Sequence, residues 1–141
     1  MCQVMEVKYE KGYRSVFSLT AHLVFVTKYR RKVLTAEFLE DLEKSFKSIL
    51  ETRKCRLLEF NGEADHVHLL VSYRPEIAVS NLVANLKATS SKQLWQKHTL
   101  ELQKTYWDKK VLWTGAYFVS SAGGATIDVL KRYIENQNST E

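Results

Sequence analysis

The feature that most limits the fold is a repeated switch in the period of the apolar residues. In 15-SVFSLTAHLVFVT-27, Phe17, Leu19, Ala21, Leu23 and Phe25 share one face, and Ser18, Thr20, His22, Val24 and Val26 the other. A period of two predicts a strand. After the basic run 28-KYRRK-32, Thr35 is placed to cap a helix over 36–53 whose apolar stripe is Phe38, Leu42, Phe46 and Ile49. Two strand-like runs follow, 55-CRLLEF-60 and 65-DHVHLLVSY-73, around Asn61-Gly62, which signals a hairpin turn. Helical spacing returns over 78–97 through Val79, Leu82, Val83, Leu86 and Leu94. Residues 98–112 carry no clear period, 116-AYFVSS-121 predicts a further strand, and 126–137 a last helix. Up to its last strand, this order is the split β-α-β arrangement of ferredoxin-like folds. The expectation is an α+β domain with an antiparallel sheet and the first two helices on one face. The order does not dictate where the final helix docks.

A chain of 141 residues fits one domain. Residues 1–14 and 139–141 are expected to be flexible ends. The net charge of +5 tilts the choice of partner toward a polyanion. Cys2 and Cys55 are too few and too isolated for a disulfide framework or a zinc-ligand set, which favours a reducing compartment. The first residues lack the apolar core of a signal peptide, and no apolar run approaches the ~18 residues of a membrane span. The expectation is a cytoplasmic protein without a membrane partner.

The most informative stretch is 65-DHVHLLVSY-73. Side chains at i and i+2 of a strand share a face, so His66 and His68 point together while Val67, Leu69 and Val71 point into the core. Their Cα atoms lie roughly 6–7 Å apart, close enough for two imidazoles to converge on one metal ion. Two half-exposed strand histidines, hydrogen-bonded or wet, would give the same pattern. As ligands, the pair leaves most of a coordination sphere open, which suits a metal that acts on substrate. In the last helix, Tyr133 and Gln137 are four residues apart and stack on one face, with Lys131 and Arg132 beside the tyrosine. An amphipathic helix with an edge tyrosine also fits.

These residues carry a family resemblance. His66-Val67-His68, within Asp65-His66-Val67-His68-Leu69-Leu70, together with Tyr133-Ile134-Glu135-Asn136-Gln137, resembles the HUH-type single-tyrosine transposases of the smallest bacterial and archaeal insertion sequences. The runs 28-KYRRKVL-34, 87-KATSSKQ-93, 112-LW-113 and 117-YFVSSAGG-124 add to it, so that it spans about residues 15–138. Two positions depart from the pattern: Ala64 stands where a proline often precedes the Asp-His, and Ala88 where a glycine is common. The resemblance implies the HUH endonuclease fold, with the nucleophile on the added C-terminal helix. It implies Tyr133 as nucleophile and His66, His68 and Gln137 as ligands of Mg²⁺ or Mn²⁺. It further implies cleavage and rejoining of single-stranded DNA through a 5′-phosphotyrosine, hairpins near the transposon ends as recognition elements, and a homodimer with composite active sites. The general base for Tyr133 stays open between water, a substrate phosphate and Lys131.

Lys28, Arg30, Arg31 and Lys32 beside Tyr29 form a patch suited to backbone phosphates, or else a solvated basic turn. The resemblance favours the DNA-binding role, with Lys87 and Lys92 as further candidates. His22 could be structural, His98 is expected at the surface, and Trp95, Trp107 and Trp113 in the core or a dimer interface. Two other functions remain open. One is a domesticated relative that processes genomic repeat hairpins. The other is a non-enzymatic module that binds single-stranded DNA or RNA, although strand 66–73 offers histidines where an RRM would show aromatics.

Overall fold

The computed structural model describes residues 9–12, 15–121 and 127–137. Residues 1–8, 13–14 and 139–141, expected in flexible ends, lie outside the described residues, as does residue 138. A short antiparallel hairpin of β1 (Glu10–Gly12) and β2 (Ser15–Phe17) precedes the main sheet. Residues 10–12, also expected in a flexible end, thus form a strand. The strand expected over 15–27 is split at Ser18, and its longer part is β3 (Leu19–Val26).

A 3-10 turn at Lys28–Arg30 leads to α1 (Ala36–Thr52). Thr35 caps this helix as expected, its hydroxyl accepting from the Phe38 amide at 3.2 Å. Next come β4 (Arg56–Gly62), β5 (His66–Tyr73), α2 (Val79–Lys97), α3 (Thr99–Tyr106), β6 (Phe118–Ser121) and α4 (Ile127–Asn136).

The main sheet runs β4-β5-β3-β6 with every pairing antiparallel, the ferredoxin-like order. α1 and α2 cover one face, where Leu23, Phe25, Phe46, Leu50, Val67, Leu69 and Leu86 form the core. Residues 98–112 carry no clear period because α3 buries only Leu102 and Tyr106, too few for a stripe.

The Asn61-Gly62 pair is not the hairpin turn. β4 continues through it, pairing Asn61 with His68 and Gly62 with Val67, and the chain turns at Ala64-Asp65. The Glu63 amide donates to the His66 carbonyl at 2.8 Å and closes that turn. Glycine serves a different need at position 62: a Cβ there would collide with Leu39 of α1.

The β3 face that carries Thr20 and His22 is not open along its length, because Val24 and Val26 are fully buried. They pack with Ile134 of α4, so the last helix covers the sheet face opposite α1 and α2. No helix among the described residues is long and apolar enough to cross a membrane.

Candidate active site

Register builds the site. Pairing β3 with β5 sets Val24 opposite His68 and Val26 opposite His66, so both imidazoles emerge on the α4 side of the sheet. Their ring centroids are 5.2 Å apart at an interplanar angle of 70°. Nδ1 of His66 lies 2.8 Å from Oδ1 of Asp65. An ionised carboxylate only accepts, so this contact places the proton on Nδ1 and leaves the Nε2 lone pair for a ligand. Burial is the largest influence on His68 and pushes its pKa down, with smaller contributions from nearby His66 and His22. Its neutral ring is the form that binds metal. His22 stands opposite Leu70 and lines the same depression, with Glu59, Asn61 and Glu63.

Two residues that the sequence did not single out for a role hold this corner. Thr27 is fully buried; its amide donates to the Asp65 carbonyl at 2.9 Å and its hydroxyl to the Arg31 carbonyl at 2.7 Å. Asp65 orients His66. Its place directly before the first histidine was a visible signal, whereas the role of Thr27 depends on a contact 38 residues away.

α4 brings the other expected residues to the same face. Ile134 is buried against Val24 and Val26, the cross-strand partners of the two histidines. Tyr133 is half-buried, its ring centroid 5.4 Å from that of Phe118. Oε1 of Gln137 is buried and has no hydrogen-bond partner among the described residues. A buried acceptor without a donor is costly, and a hard cation would satisfy it. As donor types, two imidazole nitrogens and an amide oxygen suit a divalent ion, and the nitrogens suit Mn²⁺ better than Mg²⁺.

A second group of possible ligands, Glu37, Asp41 and His98, lies on the helical side. His98 is buried rather than at the surface. Its Nε2 lies 2.6 Å from Asp41 and its Nδ1 3.0 Å from Glu101, and its ring stacks on Phe38 at 4.3 Å. The ring is thus held between two carboxylates, one on each nitrogen. This group ties α1 to α2 and α3.

The expected DNA-contacting cations fall into two sets. Arg31 and Lys32 are exposed. Lys28 lies 5.5 Å from the Tyr29 ring, which Lys109 also approaches, and Lys92 lines a depression with Trp95 and Lys110. Lys87 and Arg30 instead face the protein. Lys87 donates to the carbonyls of Thr114 and Ala116, and burial pushes its pKa down. The Arg30 guanidinium lies 3.6 Å from Asp65 and 3.4 Å from the Glu135 carbonyl. Trp95 and Trp113 are in the core, while Trp107 is exposed.

Comparison with known proteins agrees with this architecture. The family described as IS200-like transposases matches residues 15–137. The ISDra2 transposase TnpA of Deinococcus radiodurans is 29% identical over 137 residues, covering 97% of this chain and 95% of its own. The transposase of insertion sequence element IS200 from Salmonella typhimurium is 30% identical over 116 residues, covering 82% and 74%. A crystal structure of a Deinococcus radiodurans transposase superposes with a TM-score of 0.83 at 29% identity, covering 92% of this chain and 98% of that one. A REP-associated tyrosine transposase bound to a REP hairpin shares the fold at a TM-score of 0.53 and 13% identity, covering 89% and 69%. The match takes in all four strands of the HUH-type sheet and the last helix, and the chain belongs to the IS200-like transposases, enzymes that move insertion sequences by DNA cleavage and transfer.

Proposed function

We propose that this transposase cuts and rejoins single-stranded DNA at transposon ends, with Tyr133 as the nucleophile. The observation that carries the reading is the convergence on one sheet face of His66, His68 and the helix bearing Tyr133 and Gln137. The Tyr133 oxygen attacks a phosphodiester, an O–P bond forms, and the P–O3′ bond breaks. The 5′-phosphate stays on the tyrosine and a 3′-OH leaves. The phenol, with an ordinary pKa near 10, must lose its proton as it attacks. Its acceptor is open between water, a substrate phosphate and Lys131. A 3′-OH then attacks the phosphotyrosine and rejoins DNA. The energy of the first bond is kept throughout, so no nucleoside triphosphate is needed. His66, His68 and Gln137 would hold the divalent ion, Mg²⁺ or Mn²⁺, which supplies positive charge to offset that developing on the phosphate.

Lys28, Arg31, Lys32 and Lys92 contact backbone phosphates in this reading. A hairpin near each transposon end is the recognition element, and a protein of the same fold solved with a REP hairpin supports it. The enzyme acts as a homodimer with composite sites, α4 of one copy serving the histidines of the other. Identical chains make this exchange simple: a swapped α4 meets the same Val24, Val26 and Arg30 as the chain's own.

The test uses single-stranded oligonucleotides copied from both flanks of the gene, with Mn²⁺ or Mg²⁺, and a denaturing gel. The expected result is a protein–DNA adduct that disappears with Tyr133→Phe and with EDTA. An adduct that survives Tyr133→Phe refutes the assignment.

A further inference from the structure

We propose that Arg30 and Asp65 form a positioning relay that joins the last turn of α4 to His66. The proposal rests on the reading of His66, His68, Tyr133 and Gln137 as the active site. It assigns Arg30 to alignment of the site instead of to DNA phosphates.

The backbone gives the first argument. Tyr29 and Arg30 both lie in the left-handed region, at φ 60 and 52. A non-glycine residue in this region is strained and persists only where its surroundings hold it. The bonds that hold this turn include Lys28 N–H to the Leu112 carbonyl at 2.8 Å, Arg30 N–H to the Thr27 carbonyl at 2.9 Å, the Tyr106 hydroxyl to the Lys28 carbonyl at 2.9 Å, and the Thr27 hydroxyl to the Arg31 carbonyl at 2.7 Å. The result is that the Arg30 side chain is one-third exposed, while Arg31 and Lys32 point to solvent.

The contacts of Arg30 give the second. Its Nε lies 3.6 Å from Oδ2 of Asp65, whose Oδ1 lies 2.8 Å from Nδ1 of His66. One carboxylate thus faces both the guanidinium and a proposed metal ligand. On the other side, Nη1 lies 3.4 Å from the carbonyl of Glu135. That carbonyl belongs to the last turn of α4, where backbone oxygens lack helical donors and a cation is favoured. Gln137 follows two residues later. Both Arg30 contacts are long for hydrogen bonds, so the link is mainly Coulombic and responds to small movements of α4. The contacts are the same whichever copy supplies the helix.

The test compares Arg30→Gln, Arg30→Lys, Asp65→Asn and the double variant Arg30→Gln/Asp65→Asn with the parent. In single-turnover adduct formation at saturating oligonucleotide, either neutral variant should slow the reaction by about 10–100-fold, the usual effect of removing a partner behind a ligand. Affinity for the oligonucleotide should stay within about twofold, and Arg30→Lys should recover part of the rate. The double variant should be no slower than the worse single one, because one link is being cut twice. Additive losses overturn the relay. So does an Arg30→Gln variant that keeps its rate at saturation but binds DNA more weakly, with a salt slope smaller by about one, the sign of a lost phosphate contact.

A second measurement needs neither DNA nor metal. In hydrogen exchange, Arg30→Gln and Asp65→Asn should speed exchange over residues 131–137 and leave β3 and β5 protected. Unchanged exchange over 131–137 overturns the relay. If Asp65→Asn loses protection in the sheet itself, the two Arg30 variants carry the comparison. If the parent forms no adduct on any flank DNA, the active-site reading fails, and the exchange experiment still decides whether Arg30 and Asp65 hold α4.

Discussion

Thr27 has no exposed surface, and its hydroxyl points at two carbonyls, Arg31 at 2.7 Å and Asp65 at 3.2 Å. It therefore fixes the basic turn and the residue before His66 at the same time. Thr27→Val keeps the shape and removes the donor, and should cost about 1–2 kcal/mol, read as a lower denaturant midpoint with an unchanged m-value. A loss below a few tenths would show that water replaces the hydroxyl. Residues at this scale were unevenly legible. His66 and His68 could be paired from spacing alone, as could Tyr133 and Gln137, because i+2 on a strand and i+4 on a helix fix a shared face. Thr27 could not, because its purpose lies in a register that pairs residues far apart in sequence. Asp65 stood in plain view as the neighbour of His66, but its second partner, Arg30, is supplied by the fold.

Among the elements, α3 braces the turn that carries the basic residues. The Tyr106 hydroxyl reaches the Lys28 carbonyl from a buried position, and burial raises its pKa to about 12. Tyr106→Phe should lower stability by about 1 kcal/mol through the lost hydrogen bond. A thermal or urea melt checks this, and an unchanged midpoint would deny α3 its bracing role. The joint of α1, α2 and α3 makes a pH prediction. His98, through its hydrogen bond, is the main cause holding the Asp41 carboxyl below its ordinary 3.8, with Lys97 next. Its folded pKa is thus below its unfolded one, so its contribution is complete above about pH 4 and is lost as pH falls through the folded value. Asp41→Asn should flatten the acid limb of the stability curve in that window and leave the slope near neutrality unchanged. An acid limb as steep as the parent's would remove Asp41 from the account. The strands of the main sheet and the two long helices were legible from their periods. The alternation in β3 misled at its end, since Val24 and Val26 read as the outer face until α4 is known to cover it. Asn61-Gly62 misled because a glycine packed under the Leu39 side chain looks the same in sequence as one that makes a turn.

For the whole molecule, the arrangement of α4 decides how many chains make one site. Within a single chain Ile134 packs on Val24 and Val26, and residues 122–126, which join β6 to α4, lie outside the described residues. A helix held by a small apolar contact and one Coulombic link can change sheets without loss, because an identical copy offers the same seat. The composite reading then predicts a specific recovery. Tyr133→Phe chains lack the nucleophile and His66→Ala chains lack a ligand, so each homodimer is inactive. In a mixed dimer with exchanged helices, one site gathers both lesions and the other gathers none. Random mixing makes about half of the dimers mixed, so about a quarter of all sites should form adduct after subunit exchange. In a mixed dimer whose helices stay on their own sheets, every site keeps one lesion and nothing is recovered. Adduct yield from an equimolar mixture, compared with parent protein at equal total concentration, separates the two geometries. A yield near a quarter, carried only by the His66→Ala chain with its intact Tyr133, would establish exchange. No yield, with mixed dimers demonstrated by mass, would place each site within one chain.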